Sequence, residues 1–334
     1  MTPDAKRPEA PRSEKVLPGV WRLRLPLPWP GVPHGNVWAV AADGGIVLFD
    51  TGIGGKGGLR RLDLALAQAG FGLEDVRLLV CTHSHTDHYG LAAPIVEGAG
   101  CELWMHPAWG HVRLMAEDPA AALDQRIEVG RQSGVPTASL ERFRERREDD
   151  DDTGIDAIVE PNLDLVPGVE VETDLGTWQV HETPGHAPSH VCLFQAERRL
   201  LLSGDHLLGR ISLYFDYGWT PDPVGEFLHS LGVADELGAR LALSGHGKPF
   251  LDVHGHVEGN RRLVGERLDA VATAVREGPK TALEITPSVY GEPVTDANAG
   301  WRLAETLCYL RHLELEGRIS PESGSDLARW GVAS

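Results

Sequence analysis

The sequence predicts a mixed α/β fold on two observations. Short apolar runs rich in β-branched residues alternate with segments whose leucines recur at helical spacing. Histidines and aspartates then gather where several of the apolar runs end in glycine-containing turns. Residues 1–15 open with the polar, proline-rich stretch Met1 to Arg12, which has no apolar segment and predicts a disordered leader, not a signal peptide. Val16 to Leu25 and Asn36 to Phe49 read as antiparallel strands, with Asp43-Gly44-Gly45 as a turn and Asp50-Thr51-Gly52 closing the second stretch. Leu59, Leu62 and Leu66 give Gly58 to Ala69 a helical face; Val76 to Cys81 reads as a short buried strand, Leu91 to Gly98 as a helix and Cys101 to Met105 as a strand.

Between His106 and Glu160 the pattern turns helical at Ala116 to Gly130 and Ser139 to Glu148, and ends in Asp149 to Asp152. This predicts an insertion over 106–160 that forms a lid or one wall of a cleft, as long insertions beside active sites do. Acidic residues alternate with and follow its basic run Arg142 to Arg147, so that run reads as a salt-bridged helix end. His106, Trp109 and His111, which open the insertion, read as packing residues. Strand-like runs return at Arg199 to Leu202 and Leu241 to Leu243. Val257 to Arg276 is helical, and after Gly278-Pro279 so are Thr281 to Ile285 and Ala297 to Leu315, before a tight turn at Glu316 to Ile319.

The segment Thr82-His83-Ser84-His85-Thr86-Asp87-His88 follows the Val76–Cys81 run directly. His83 and His85, two apart, can converge on one ion, and Asp87 and His88 can reach a second; imidazole and carboxylate suit zinc, iron, manganese or nickel. Further along, His186 sits in Thr-Pro-Gly-His, Asp205 in Ser-Gly-Asp-His and His246 in Ser-Gly-His-Gly, each after an apolar run and beside a glycine.

The ordered set Asp50-Thr51-Gly52, His83 to His88, His186, Asp205 and His246 resembles the metallo-β-lactamase fold superfamily over about residues 20 to 255. That resemblance implies a four-layer αβ/βα sandwich with the helical insertion, a catalytic domain over 16–256, and two divalent metal ions per chain. Zinc is the first expectation; iron or manganese would accept the same ligands. It implies His83, His85 and His186 on one metal, Asp87, His88 and His246 on the other, and Asp205 between them. Zinc β-lactamases of the commonest type carry Cys at the position of Asp205, whereas glyoxalase II-like thioesterases, lactonases and ribonucleases carry Asp. The tail, 257–334, resembles the linker helix and small winged-helix domain of lactamase-B-like-2 members, on the strength of Leu310 to Ile319.

Two ions so held would carry a bridging hydroxide for attack on a carbonyl ester, a thioester of acyl-CoA or acylglutathione type or a lactone. Asp87 is the expected proton acceptor, and Asp50 a partner that fixes a ligand imidazole. His190 and Tyr214 are candidates to line the pocket, as are Phe215, Tyr217 and Trp219. The rival reading is a metal-dependent endoribonuclease of the lactamase-B-like-2 type. Charge opposes it: the 334-residue chain carries a formal −18, and Gly278 to Ser334 holds five Lys/Arg against eight Asp/Glu, whereas phosphate backbones require clustered cations. The expected partner is therefore a small-molecule substrate, not nucleic acid or a membrane; a homodimer is compatible with the sequence. No run approaches the roughly twenty apolar residues of a membrane span. Cys81, Cys101, Cys192 and Cys308 are widely spaced in apolar contexts, which suits reduced thiols in the cytoplasm.

Overall fold

A computed structural model describes residues 10–333, apart from residues 30, 149–152, 296–297 and 323–325. The acidic run Asp149 to Asp152 and the first nine residues of the expected leader thus lie outside the described residues. The rest of that expected leader is in part ordered: strand β1 (Arg12–Leu17) begins inside it and pairs antiparallel with β2 (Val20–Trp29).

The first sheet runs in chain order, β1, β2, β3 (Val32–Ala42), β4 (Gly45–Phe49), β5 (Val76–Cys81), β6 (Glu102–Met105) and β7 (Leu163–Asp164). It is antiparallel as far as β4 and parallel from β4 onward. Helices α1 (Gly58–Ala69), α2 (Thr86–Tyr89) and α3 (Ala92–Ala99) fall between its parallel strands, and α4 (Gly110–Glu117), α5 (Pro119–Gln132) and α6 (Thr137–Glu148) make up the insertion. The second sheet contains β8 (Glu170–Thr173), β9 (Gly176–Glu182), β10 (Val191–Gln195), β11 (Leu200–Gly204) and β12 (Leu241–Ser244), in the order β12-β11-β10-β9-β8. Helix α7 (Pro223–Glu236) crosses between β11 and β12, which pair in parallel. Helices α8 (Val253–Arg276), α9 (Ala282–Tyr290) and α10 (Ala299–Leu315) follow, with β13 (Lys280–Thr281), β14 (Ile319–Pro321) and β15 (Arg329–Val332) as a small sheet ordered β13-β15-β14.

The cores define the layers. Side chains alternate across a strand, so β5 sends Leu79 and Cys81 outward to α1 and α3 while Val80 points inward. Inward residues of both sheets, among them Trp38, Phe49, Val80, Trp178, Leu193 and Leu243, pack face to face. A further core joins the outer face of the second sheet to α7, α8, α9 and α10. The result is the αβ/βα sandwich. Helix α8 starts at Val253, so the expected boundary at 257 falls inside a helix whose buried face is part of that outer core. The insertion reaches the same region: Ser133 and Gln132 carbonyls accept the amides of Leu283 and Ala328. Among the described residues, no helix is long and apolar enough to cross a membrane.

Candidate metal centre

Every expected ligand emerges at one edge of the sandwich, where strands of both sheets end. His83, His85, Asp87 and His88 follow β5, His186 lies in the turn from β9 to β10, Asp205 follows β11, and His246 follows β12. Hydrogen bonds sew the sheets together there. Asn36 donates from its amide to the Gly245 carbonyl (2.7 Å) and from Nδ2 to the carbonyls of Ser244 (2.8 Å) and Gly247 (2.9 Å). Trp38 Nε1 donates to Ser244 (3.1 Å), and the Val191 amide donates to Thr82 (2.8 Å). Glycine is required at two of the turns. A Cβ on Gly245 would lie 2.1 Å from Asp205 Oδ1, and Gly204 has φ 46° with His190 Nε2 2.6 Å from where its Cβ would be.

The imidazoles share one pattern: an outer nitrogen is engaged and an inner nitrogen faces the centre. His88 Nδ1 donates to Asp50 (2.9 Å), His246 Nδ1 to the His34 carbonyl (2.9 Å) and His186 Nδ1 to the Tyr214 carbonyl (3.1 Å). His85 Nε2 meets Asp216 at 2.7 Å, and His83 Nδ1 meets the Thr82 hydroxyl at 3.0 Å. These partners engage the outer nitrogens and leave His83 Nε2, His85 Nδ1, His186 Nε2, His88 Nε2 and His246 Nε2 as the nitrogens that face inward. His85 Nδ1 lies 3.0 Å from His83 Nε2 and 2.9 Å from His186 Nε2. His246 Nε2 lies 3.2 Å from Asp87 Oδ2 and 3.1 Å from Asp205 Oδ2, which is itself 3.7 Å from His186 Nε2. Asp205 thus stands between the triad His83, His85, His186 and the triad Asp87, His88, His246.

The donor set fits divalent cations. Asp87 Oδ2, His88 Nε2 and Asp205 Oδ1 are buried without a hydrogen-bond partner, a costly arrangement unless something else satisfies them. His88 Nε2 is 3.5 Å from the first oxygen and 3.4 Å from the second. Protonation follows the acids. Burial opposes a charge on His246, yet Asp205 and Asp87 push it up to about 10. Burial likewise opposes charge on His88, which Asp87, Asp205 and Asp50 hold well above the usual range. In the all-imidazole triad, burial and neighbouring imidazoles hold His83 far down and His186 at about 4.

Asp50 sits where the sequence expected a ligand's partner. It adopts φ 65° and accepts from His88 Nδ1, the Thr82 amide (2.8 Å) and the Thr82 hydroxyl (3.0 Å). A non-glycine residue in the left-handed region is uncommon and strained. Tyr214 borders the site, its ring 5.9 Å from His85 and 5.6 Å from His186. His190 stands behind the ligands: its ring is buried, Nδ1 faces Thr183 Oγ1 (2.8 Å), and Nε2 accepts the Asp205 amide (3.0 Å), so it seats the Asp205 turn. Of the other aromatics, Trp219 lies 5.5 Å from His111 near the site, whereas Phe215 is fully buried in the outer core.

Sequence reasoning missed Asp216, and His111, read as a packing residue, is buried with ligand atoms close to those of His85 and Asp216. His111 Nε2 is 3.2 Å from the Ser84 hydroxyl, and ligand atoms of His85, His111 and Asp216 lie within 4.8 Å of one another. Asp216 stands alone among aromatics in a loop, with no spacing signal. His106, by contrast, pairs with Glu182 (3.1 Å), and Trp109 packs into the first outer core.

Residues 30–246 match the Metallo-beta-lactamase superfamily. The chain is similar to the Probable metallo-hydrolase YqjP of Bacillus subtilis, 25% identical over 309 residues that span 89% of this chain and 93% of that protein. It is similar over 51% of its length to the Atrochrysone carboxyl ACP thioesterase of Aspergillus chevalieri, 26% identical across 56% of that protein. Among solved structures, a metallo-beta-lactamase family protein of Thermus thermophilus superposes with a TM-score of 0.80 at 30% identity, covering 95% of this chain and 100% of that one.

Proposed function

This chain belongs to the metallo-β-lactamase superfamily and carries its His/Asp metal-binding cluster, and on that premise we propose that it is a binuclear hydrolase of carbonyl esters, thioesters or lactones. The observation that carries this reading is the set of five imidazoles whose outer nitrogens are engaged and whose inner nitrogens converge, those of His88, His186 and His246 on two buried carboxylates and those of His83 and His85 beside His186. His83, His85 and His186 would hold one ion, Asp87, His88 and His246 the other, with Asp205 serving both. Zinc is the proposed metal, though His and Asp accept iron or manganese as well. Divalent ions supply Lewis acidity toward a carbonyl oxygen and bring the pKa of water toward neutrality.

The protein's own groups do the rest. Asp87 is the proposed proton acceptor, a reading supported by its Oδ2 being buried without a donor in hydrogen-bond geometry. His34, Asp50, Tyr214 and Asp216 orient the imidazoles. Tyr214 and Trp219, each about one-third exposed, offer an apolar rim for an acyl group. The thioester reading draws on Asp205 in place of Cys, on the similarity to an acyl-carrier thioesterase and on the formal charge of −18. Helices α8 to α10 with the β13-β15-β14 sheet have the order of a winged helix, and this favours an endoribonuclease as second reading. From Gly278 to Ser334, five basic against eight acidic residues oppose a phosphate grip.

A panel of acyl-thioesters, S-acylglutathiones and lactones tests the ranking against single-stranded RNA. Metal-dependent ester turnover with intact RNA is the expected result. RNA cleavage abolished by His88→Ala, with no hydrolysis in the ester panel, would reverse it.

A further inference from the structure

The loop between β11 and α7 brings Asp216 against the first triad from outside. Its Oδ2 takes the His85 Nε2 at 2.7 Å, and its Oδ1 accepts the Tyr214 hydroxyl at 2.8 Å. The same loop reaches a second imidazole, because His186 Nδ1 donates to the Tyr214 carbonyl at 3.1 Å. One segment therefore grips two of the three imidazoles. It is anchored from behind: Phe215 is fully buried, edge-to-face with Phe227 (5.2 Å) and with Tyr309 of α10 (5.8 Å). Farther along the loop, His312 of α10 meets Asp222 at 3.0 Å.

A carboxylate on one imidazole nitrogen holds the proton there and leaves the lone pair on the other. We propose that Asp216 is a positioning residue that fixes His85 with Nδ1 as the inward donor, so that the His83/His85/His186 triad owes part of its cation affinity to a loop keyed by α10. The proposal rests on reading that triad as a metal site. Without Asp216, the largely buried His85 Nε2 proton loses its acceptor and the ring loses the contact that orders it.

The test is zinc titration of metal-free full-length protein against a competing chelator, for the wild type, Asp216→Ala and Asp216→Asn, with Tm measured alongside. The wild type is expected to take up two equivalents. Asp216→Ala should weaken one of them about 10–100-fold, the range that outer partners of metal-bound histidines typically contribute, while the other equivalent and the metal-free Tm stay as in the wild type. Asp216→Asn keeps the side-chain shape and an oxygen acceptor without the charge, and should show a smaller selective loss; it decides the matter if the alanine variant does not fold. Two equivalents of wild-type affinity in the variants, or an equal loss of both with a lower Tm, would overturn the proposal and leave the metal reading standing. A wild type that binds no zinc would overturn both.

Discussion

The metal edge and the interior of the C-terminal helices both bury charge, and they resolve it in opposite ways. In the C-terminal cluster, Glu305 of α10 accepts the Tyr290 hydroxyl, and Arg267 and Arg302 each lie 4.1 Å from the Tyr290 ring. Arg267 stands 3.9 Å from Glu305, and Arg302 pairs with Glu292. The atoms left over there are of both kinds, the guanidinium donors Arg267 Nε and Arg302 Nε beside the acceptor Glu305 Oε1. At the metal edge, Asp87 Oδ2, Asp205 Oδ1 and His88 Nε2 are left over, all of them metal-ligand atoms that converge on one place. The first cluster sets fixed guanidinium cations beside its acid, whereas at the second the counter-charge is a proton held on His88 and His246, which a metal ion would displace. Buried charge marks a binding site when the unsatisfied atoms are metal-ligand atoms that converge on one point.

The sharpest way to break this contrast is Asp87→Asn. It removes a charge from the converging set and the candidate proton acceptor together, so turnover of the best ester should fall by at least about 10²–10⁴-fold, the usual worth of general base catalysis, with Tm little changed. Near-normal turnover would move the chemistry elsewhere. In the C-terminal cluster, burial pushes Glu305 up to about 7 from 4.5, against Arg267 and Tyr290. An acid raised on folding binds its proton more tightly in the folded state. Its contribution is therefore complete below pH 4.5 and is lost as pH rises through 7. Roughly 3 kcal/mol is at stake, and urea denaturation from pH 5 to 8 should show that loss in the wild type but not in Glu305→Gln. A parallel decline in both proteins would exclude Glu305 as its source. A smaller effect is expected from Asp50→Asn, which keeps the shape but weakens the hold on His88 and Thr82. Metal affinity should drop about 10–100-fold, and unchanged affinity by chelator competition would reduce Asp50 to a turn residue.

Much of this was legible before any coordinates. β5 and α1 occupy the stretches read from periodicity, because each is flanked by clear turn residues and carries one dominant pattern. The segment His83 to His88 announced itself because four ligand side chains are neighbours in the chain. Strands β8 and β9 and helix α7 were not individually legible, since exposed polar residues and close turns dilute their period, and β10, buried throughout, is a five-residue apolar run too short to declare its type. Asn36 and Asp216 were invisible for another reason: each acts on a residue far away in sequence, Asn36 on Ser244 and Gly247, Asp216 on His85. Single polar residues acquire such roles only when two sheets meet. His190 was legible only in part: four-residue spacing from His186 places it near the site but does not say that its nitrogens face Thr183 and the Asp205 backbone.

The converging ligand atoms are proposed to hold two cations. Equilibrium dialysis of metal-free protein against zinc, followed by elemental analysis, tests that proposal most directly. The account predicts two equivalents per chain in the wild type, with loss of binding when His83 and His88 are both replaced by alanine. Less than one equivalent in the wild type after reconstitution would contradict it.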